Sequence, residues 1–505
     1  PEVVEAAEQL QPAHMPYLFP EVFLRTAAGF DVILGNPPWE KIKVETDQWW
    51  GIRLPGLRSM PQKQKTAALK GFRESRPDLE AEFESECETV QALNEVIKRG
   101  PCALGSGDTD LYQAFAWRNW QLLREGGRFA VVLPRGALSG SALTEWRREV
   151  LASGSFADVC FIENTGRWAF DMEPRYTIGL TVAEKSKERV VRWAGPFASE
   201  KTFLASAEVL AEVSSEEFLS WSKTVAFPLI PDPVSAQIFR QMKQSPRFDA
   251  VREHWEFRPI RELDASGDKK VMEFDVDEAK GRIPIDAGAS FTLWSPDHGA
   301  PYAYSKKKVL RPYLGAKAET ASRNSRSALF GMRFNSRNLP LDHARIAFRD
   351  ITRATDTRTT IACLLPPGTA TVHNAPALIR RRGTASAEAF LLGVMCSIPF
   401  DWGARRWVEL HLTYEVLFQL PVPLYTEDSP LCARVAEIAG TLAAIDDRYD
   451  EWASEVGVLV GSVKTQTERV DLLTELDALV NLLYGLTEDE VEHLFDTFHR
   501  GWNYE

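Results

Sequence analysis

Asn36, Pro37, Pro38 and Trp39 stand together in the stretch FDVILGNPPWEKIK, residues 30–43. Their types, in that order, suit one kind of chemistry. An exocyclic amine such as N6 of adenine needs acceptors that hold its two hydrogens and turn its lone pair toward an electrophile. The Asn36 side-chain oxygen is one acceptor, and a backbone carbonyl stiffened by proline is a second. Trp39 adds an aromatic plate for a base, worth roughly 1–3 kcal/mol per stacked base. An adenine within a duplex reaches such a site only when flipped out, at a cost of a few kcal/mol. Asn-Pro-Pro turns also close ordinary strands, so the surroundings have to decide.

The element that would position these residues precedes them. Val32-Ile33-Leu34 is short, rich in β-branched residues and uninterrupted by polar ones, which predicts a fully buried strand in a parallel sheet covered on both faces. The two prolines end pairing and send the backbone out as a stiff, extended loop. In an open α/β sheet, ligands bind at that end of a strand. Residues 60–100 predict one or two solvent-facing helices, inserted before the next strand. DTDLYQAFAWRNWQLLREGG (108–127) reads as an amphipathic helix with Leu111, Phe115, Leu122 and Leu123 along its apolar side, ended by Gly126-Gly127. RFAVVLP (128–134) is a second buried strand and LTEWRREVLAS (143–153) a helix. FADVCFIE (156–163) and YTIGLTVAEK (176–185) are two more strands.

This alternation predicts an α/β domain over residues 1–190, with a helical insertion at about 45–105. Residues 191–425, with short segments and many Pro and Gly, predict a β-rich domain with long loops. Residues 426–505 carry sustained 3.6-residue apolar spacing and predict an acidic helical region.

The net charge of −12 over 505 residues argues at first against a nucleic-acid partner. Its distribution argues otherwise. Residues 424–505 hold 18 Asp/Glu and 5 Lys/Arg, whereas residues 301–382 hold 16 Lys/Arg and 4 Asp/Glu. A basic segment interleaved with Tyr302, Tyr304, Tyr313 and Phe334 suits phosphate contacts; a solvated charged face without a partner is the bland alternative. The longest apolar run, AFLLGVMCSIPF (389–400), is too short to span a bilayer and predicts a buried helix. Six cysteines without a CxxC pair, and no basic-then-apolar leader, predict a cytoplasmic protein with no membrane association and no structural zinc.

HMPYLFPEVF (14–23), FDVILGNPPWEKIK, GSGDTDLYQAFAWRNWQLLREGGRFAVVLP and ELDALVNLLYGLTEDEV (475–491) together resemble the large adenine-N6 DNA methyltransferases of type IIG restriction–modification and of the BREX and DISARM phage-defence systems. Residues 344–379 and 405–423 resemble that family's target-recognition region. The resemblance implies transfer of a methyl group from S-adenosylmethionine to a flipped adenine in double-stranded DNA. It implies Asn36 and the Pro37 carbonyl as acceptors for the amine, with Pro38 stiffening the turn. Trp39 would be the stacking residue, where the family more often has Tyr or Phe. Asn36 and Asp110 would line the cofactor side, although Asp110 also reads as a helix N-cap. Arg345, Arg349, Arg353 and Arg358 would contact DNA, and each reads equally as part of an intramolecular ion pair.

The chain departs from the family in one respect. The Gly-rich cofactor turn, of the kind DPACGSGxF, comes before the NPPW strand, and residues 1–35 do not contain it. The recognisable strands correspond to the fourth through seventh of a seven-stranded Rossmann-like sheet, in which the fourth pairs with the first. A hydrophobic strand left at an open edge is an aggregation hazard, so a cofactor-binding half or another defence-system subunit is expected to cover it. Gly105-Ser106-Gly107 resembles a permuted cofactor turn but follows no buried strand, which favours a loop. Asp275, Glu278 and Lys280 offer an E-x-K arrangement in a charged loop, a weak match to a metal-dependent nuclease. Two functions stay open: an adenine-N6 methyltransferase missing its cofactor half here, or a DNA-recognition module with a vestigial base pocket.

Overall fold

Val32, Ile33 and Leu34 lie in strand β1 (Phe30–Gly35), which stands at the edge of a sheet. The structure, a computed structural model, describes residues 13–99, 109–172, 176–206, 210–250, 255–274, 276 and 281–498. β1 is followed by β2 (Leu123–Pro134), β3 (Ser155–Glu163), β4 (Thr177–Glu184), β5 (Val190–Phe197) and β6 (Ala211–Ser214). Their order in the sheet is β1-β2-β4-β3-β5-β6. β1 and β2 pair in parallel, as do β3 and β5, while β4 runs antiparallel between β2 and β3. The four sequence-predicted strands are therefore present, and the last of them inserts between its two predecessors.

Two expectations are corrected. β1 is not fully buried: Val32 is 65% and Leu34 81% exposed, and among the described residues no strand pairs with its outer edge. The predicted helix ends earlier than Gly126-Gly127. It spans Leu111–Leu122 and β2 begins at once, with the two glycines inside the strand where its register with β1 shifts. Gly126 has φ +72, a backbone that Gly adopts without strain. The helix buries Tyr112, Ala116, Trp117 and Trp120 rather than Phe115, which is 42% exposed.

The sheet's core is aromatic. Phe129 stacks on Trp146 at 6.1 Å, and Trp146 meets Phe156 edge-on at 5.7 Å. Phe156, Phe161 and Phe218 surround Phe227. Such rings bury large areas and favour edge contacts beyond simple burial. Three helices, Thr46–Arg53, Gln62–Ser75 and Pro77–Arg99, form the predicted insertion around a small core of Trp49, Trp50, Leu57 and Phe83.

β5 and β6 prolong the first sheet, and the chain divides into Pro1–Pro233 and Val234–Glu505. The second unit contains β7 (Glu256–Ile260), β8 (Arg282–Asp286), β9 (Ala303–Lys306), β10 (Arg345–Phe348), β11 (Ala362–Leu365), β12 (Ala370–Thr371) and β13 (Ala377–Arg382). They form an antiparallel sheet ordered β11-β10-β13-β7 and a smaller one ordered β12-β8-β9. The helix Lys307–Ser322 buries Leu310 and Leu314 with Ile283, Ile285 and Leu341.

The AFLLGVMCSIPF run is buried, as expected, in the helices Ala385–Cys396 and Ile398–Arg405. A Cβ added at Gly393 would meet Val435 at 3.0 Å, Ala439 at 3.1 Å and Leu476 at 3.3 Å. That glycine lets the helices Pro430–Ala443 and Gln466–Tyr484 approach closely. The acidic helices thus pack against the segment before them.

Candidate functional site

β1 and β2 run side by side with Leu34 opposite Ala130 and Gly35 opposite Val131. Asn36 therefore leaves the sheet at the C-terminal ends of two parallel strands. Pro37 is buried and Asn36 and Pro38 are exposed. Trp39 is half-buried, and its indole N–H donates to the Val132 carbonyl at 3.4 Å. The ring is thereby held against the end of β2. The Asn36 side-chain amide has no hydrogen-bond partner among the described residues. The other end of β1 is anchored by charge: Asp31 accepts from Arg25 at 2.7 Å and Arg124 at 2.6 Å, which hold its carboxyl down at about 2.

Beyond Trp39 the loop is tied to the start of the Leu111–Leu122 helix. The Leu111 N–H donates to the Glu40 carbonyl at 2.9 Å, and the Ile42 N–H donates to the Thr109 carbonyl at 2.8 Å. This antiparallel bridge sets Lys41 opposite Asp110. Asp110 occupies the N-cap position with φ −95 and ψ 147, yet its side chain does not cap the helix. It accepts instead from the Gln113 amide at 3.4 Å. Asp110 thus stands at the N-cap without a side-chain capping bond, and the Lys41 bridge sets its backbone against the segment that follows Trp39.

Tyr112 was not singled out by sequence. It is buried, and its hydroxyl lies 3.4 Å from where a Gly136 Cβ would stand, just past the end of β2. Burial pushes its phenol pKa up, and neighbouring Asp110 pushes it further. The only signal was its place two residues after Asp110, on the first turn of the helix. Behind it, Arg147 donates to the carbonyls of Ala137, Gly140, Thr224 and Val225 at 2.5–2.9 Å. Full burial lowers Arg147 to about 9. These bonds tie the short helix that follows β2, Arg135–Ser139, to the segment at Thr224 and Val225.

In the second unit, three of the four arginines expected at DNA bond to groups of the protein itself. Arg345 is buried, donating to Glu262 at 2.8 Å and to the Thr369 carbonyl at 2.7 Å. Arg349 donates to the Gly288 and Phe291 carbonyls at 2.7 and 2.8 Å. Arg358 donates to Asp401 at 2.5 Å and to the Cys396 and Ser397 carbonyls. For Arg345 and Arg358 the intramolecular ion pair is the alternative realised, whereas Arg349 is held by backbone carbonyls and forms no ion pair among the described residues. Arg353 is exposed. Gly105-Ser106-Gly107 and Asp275, Glu278 and Lys280 lie outside the described residues. Among the described residues, no helix is long and apolar enough to cross a membrane, and no group of three His, Cys, Asp or Glu side chains could hold a metal ion.

No family model matches the chain, and no curated protein matches its sequence. Solved structures similar to it include restriction–modification enzymes. One is the type IIL enzyme MmeI in complex with DNA, at 12% identity and a TM-score of 0.40, covering 77% of this chain and 52% of that one. The type IIG restriction endonuclease BpuSI is similar at 11% identity and a TM-score of 0.28, covering 80% and 52%. A nuclease-deletion mutant of the type ISP enzyme LlaGI in complex with a DNA substrate mimic is similar at 9% identity and 0.37, covering 82% and 35%. The chain spans about half the length, or less, of these structures.

Proposed function

We propose that this chain is the adenine-binding and DNA-recognition part of an S-adenosylmethionine-dependent DNA adenine-N6 methyltransferase. It would serve a restriction–modification or phage-defence system of the type IIG, BREX or DISARM kind. The observation that carries this reading is the position of Asn36, whose amide is exposed and without a partner among the described residues at the C-terminal end of a parallel strand pair. Trp39 is anchored beside it to Val132, and Asp110 is delivered to the same loop by the Lys41 bridge.

In this reading the Asn36 Oδ1 and the Pro37 carbonyl accept the two hydrogens of the amine. That arrangement fixes the base plane and presents the nitrogen lone pair to one side. Trp39 covers the face of the flipped ring and returns part of the cost of unstacking. S-adenosylmethionine, when bound, supplies an electrophilic methyl group on a sulfonium. The described residues fit the acceptor side of that reaction. They hold no glycine-rich turn that would cradle the donor. The open edge of β1, with Val32 and Leu34 outward, supports placing the donor's site on a strand that pairs there from a further segment or another subunit.

The acceptor site is tested with oligothymidylate carrying one central adenine, against the same strand carrying purine, which lacks the exocyclic amine. Two hydrogen bonds at roughly 1 kcal/mol each correspond to about a 30-fold preference for adenine. The parent chain should show that preference and Asn36→Ala should lose it. Equal affinity of the parent chain for both strands would rule the assignment out.

A further inference from the structure

Between the Lys307–Ser322 helix and β10 the chain carries Arg323, Arg326, Arg333 and Arg337 without a single Asp or Glu from residue 323 to 338. All four arginines are exposed. Arg323 pairs with Glu319 one turn back at 2.6 Å. Arg326, Arg333 and Arg337 have no ion-pair partner among the described residues. They contrast with Arg311 and Arg381 nearby, which are spent on holding the loop in place.

The loop is built as a platform. Leu329 is buried with Ile260, Ala318, Ala377 and Ile379. Arg381 donates to the Ala328 carbonyl at 2.7 Å and to the Phe330 carbonyl at 2.8 Å, clasping the backbone on both sides of Leu329. Arg311 donates to the Ser336 carbonyl at 2.8 Å and forms a two-pronged pair with Asp342. Helix residue Gly315 admits the loop backbone so closely that an added Cβ would lie 2.9 Å from the Ser336 nitrogen. At the tip, the Asn335 side-chain oxygen accepts from the Arg337 N–H at 2.8 Å and the Asn338 N–H at 3.2 Å.

We infer that Arg326, Arg333 and Arg337 form a preorganised contact surface for the phosphate backbone of double-stranded DNA. The inference rests on the DNA reading proposed above and deepens it by naming the surface. A fixed backbone reduces the ordering cost of each contact. Guanidinium groups match phosphate oxygens in pairs, and the interleaved Asn and Ser side chains suit sugar and phosphate oxygens. An acidic protein surface would also attract three arginines, but the surrounding amides and hydroxyls favour the nucleic acid.

The test is binding of the 505-residue chain to a 30-base-pair duplex of mixed sequence, read by fluorescence anisotropy from 50 to 300 mM salt. Removing one arginine–phosphate pair makes the slope of log K against log salt shallower by about 1. The variant R326A/R333A/R337A should therefore bind more weakly at 50 mM salt, with a slope shallower by about 3 and an unchanged melting temperature. The corresponding lysine variant should keep most of the slope. An alanine variant with the parent's affinity and slope overturns the inference, as does one that loses only self-association, which would assign the loop to an acidic protein face. A parent chain that does not bind the duplex at all overturns the DNA reading itself.

Discussion

Replacing Arg358 with alanine separates the two roles open to an arginine in residues 344–379. The Asp401 side chain is fully buried. It accepts from the Arg358 Nε at 2.5 Å and from the Thr359 N–H at 3.1 Å to each oxygen, with Arg405 Nε 3.4 Å away. Removing Arg358 leaves this carboxylate in the interior with one amide and one longer ion pair. Breaking a buried pair from one side costs about 3–5 kcal/mol. The surviving Thr359 and Arg405 contacts place Arg358→Ala at the lower end, about 3 kcal/mol. The Cys396 and Ser397 carbonyls, at the end of the Ala385–Cys396 helix, lose a donor as well. For a unit of this size each kcal/mol moves the midpoint by roughly 2–4 °C, so calorimetry should find it about 6–12 °C lower. Arg353→Ala, at an exposed site, should stay within about 0.5 kcal/mol of the parent. Duplex binding measured well below both midpoints should survive Arg358→Ala. An Arg358→Ala protein that melts with the parent and yet loses DNA would refute the structural role.

Lysines at Val32 and Leu34 should leave folded stability within about 0.5 kcal/mol, because both side chains are already outside, while reducing self-association in sedimentation velocity; a loss of several kcal/mol would mean that the edge is covered. Glu388 is buried, and desolvation raises its carboxyl from 4.5 to about 7 despite Arg380 nearby. A folded-state pKa above the unfolded one contributes stability that is complete below pH 4.5 and is lost as the pH rises through about 7. Glu388→Gln should remove that share of the fall in stability between pH 4.5 and 7.5, on the order of 3 kcal/mol. Parallel pH profiles for the two proteins would show that Glu388 does not titrate in this window.

The sequence made the site more legible than its setting. Two prolines after an apolar run dictate a strand end and a rigid exit whatever the tertiary context, so Asn36 to Trp39 were placed without a structure. Whether the faces of that strand are covered depends on which segments pair with it, and Val32 and Leu34 look alike in sequence whether buried or exposed. Gly126-Gly127 was read as a helix stop because two glycines favour that role; here they serve a register shift instead, which depends on β1, far back in the chain. The arginines show the same limit. Charge can be counted along the chain, but Arg345 meets Glu262 83 residues away and Arg358 meets Asp401 43 residues away. Three exposed arginines, Arg326, Arg333 and Arg337, lie in the neighbouring loop, where the absence of nearby carboxylates in sequence was already visible.

Single-molecule sequencing of genomic DNA from source cells carrying either the parent allele or Asn36→Ala tests the central claim most directly. If Asn36 holds the adenine amine, N6-methyladenine at one recurring sequence motif disappears in the Asn36→Ala cells and every other modified motif is retained. An unchanged methylation pattern in cells that produce the Asn36→Ala chain at the parent level would contradict the assignment of this loop to adenine.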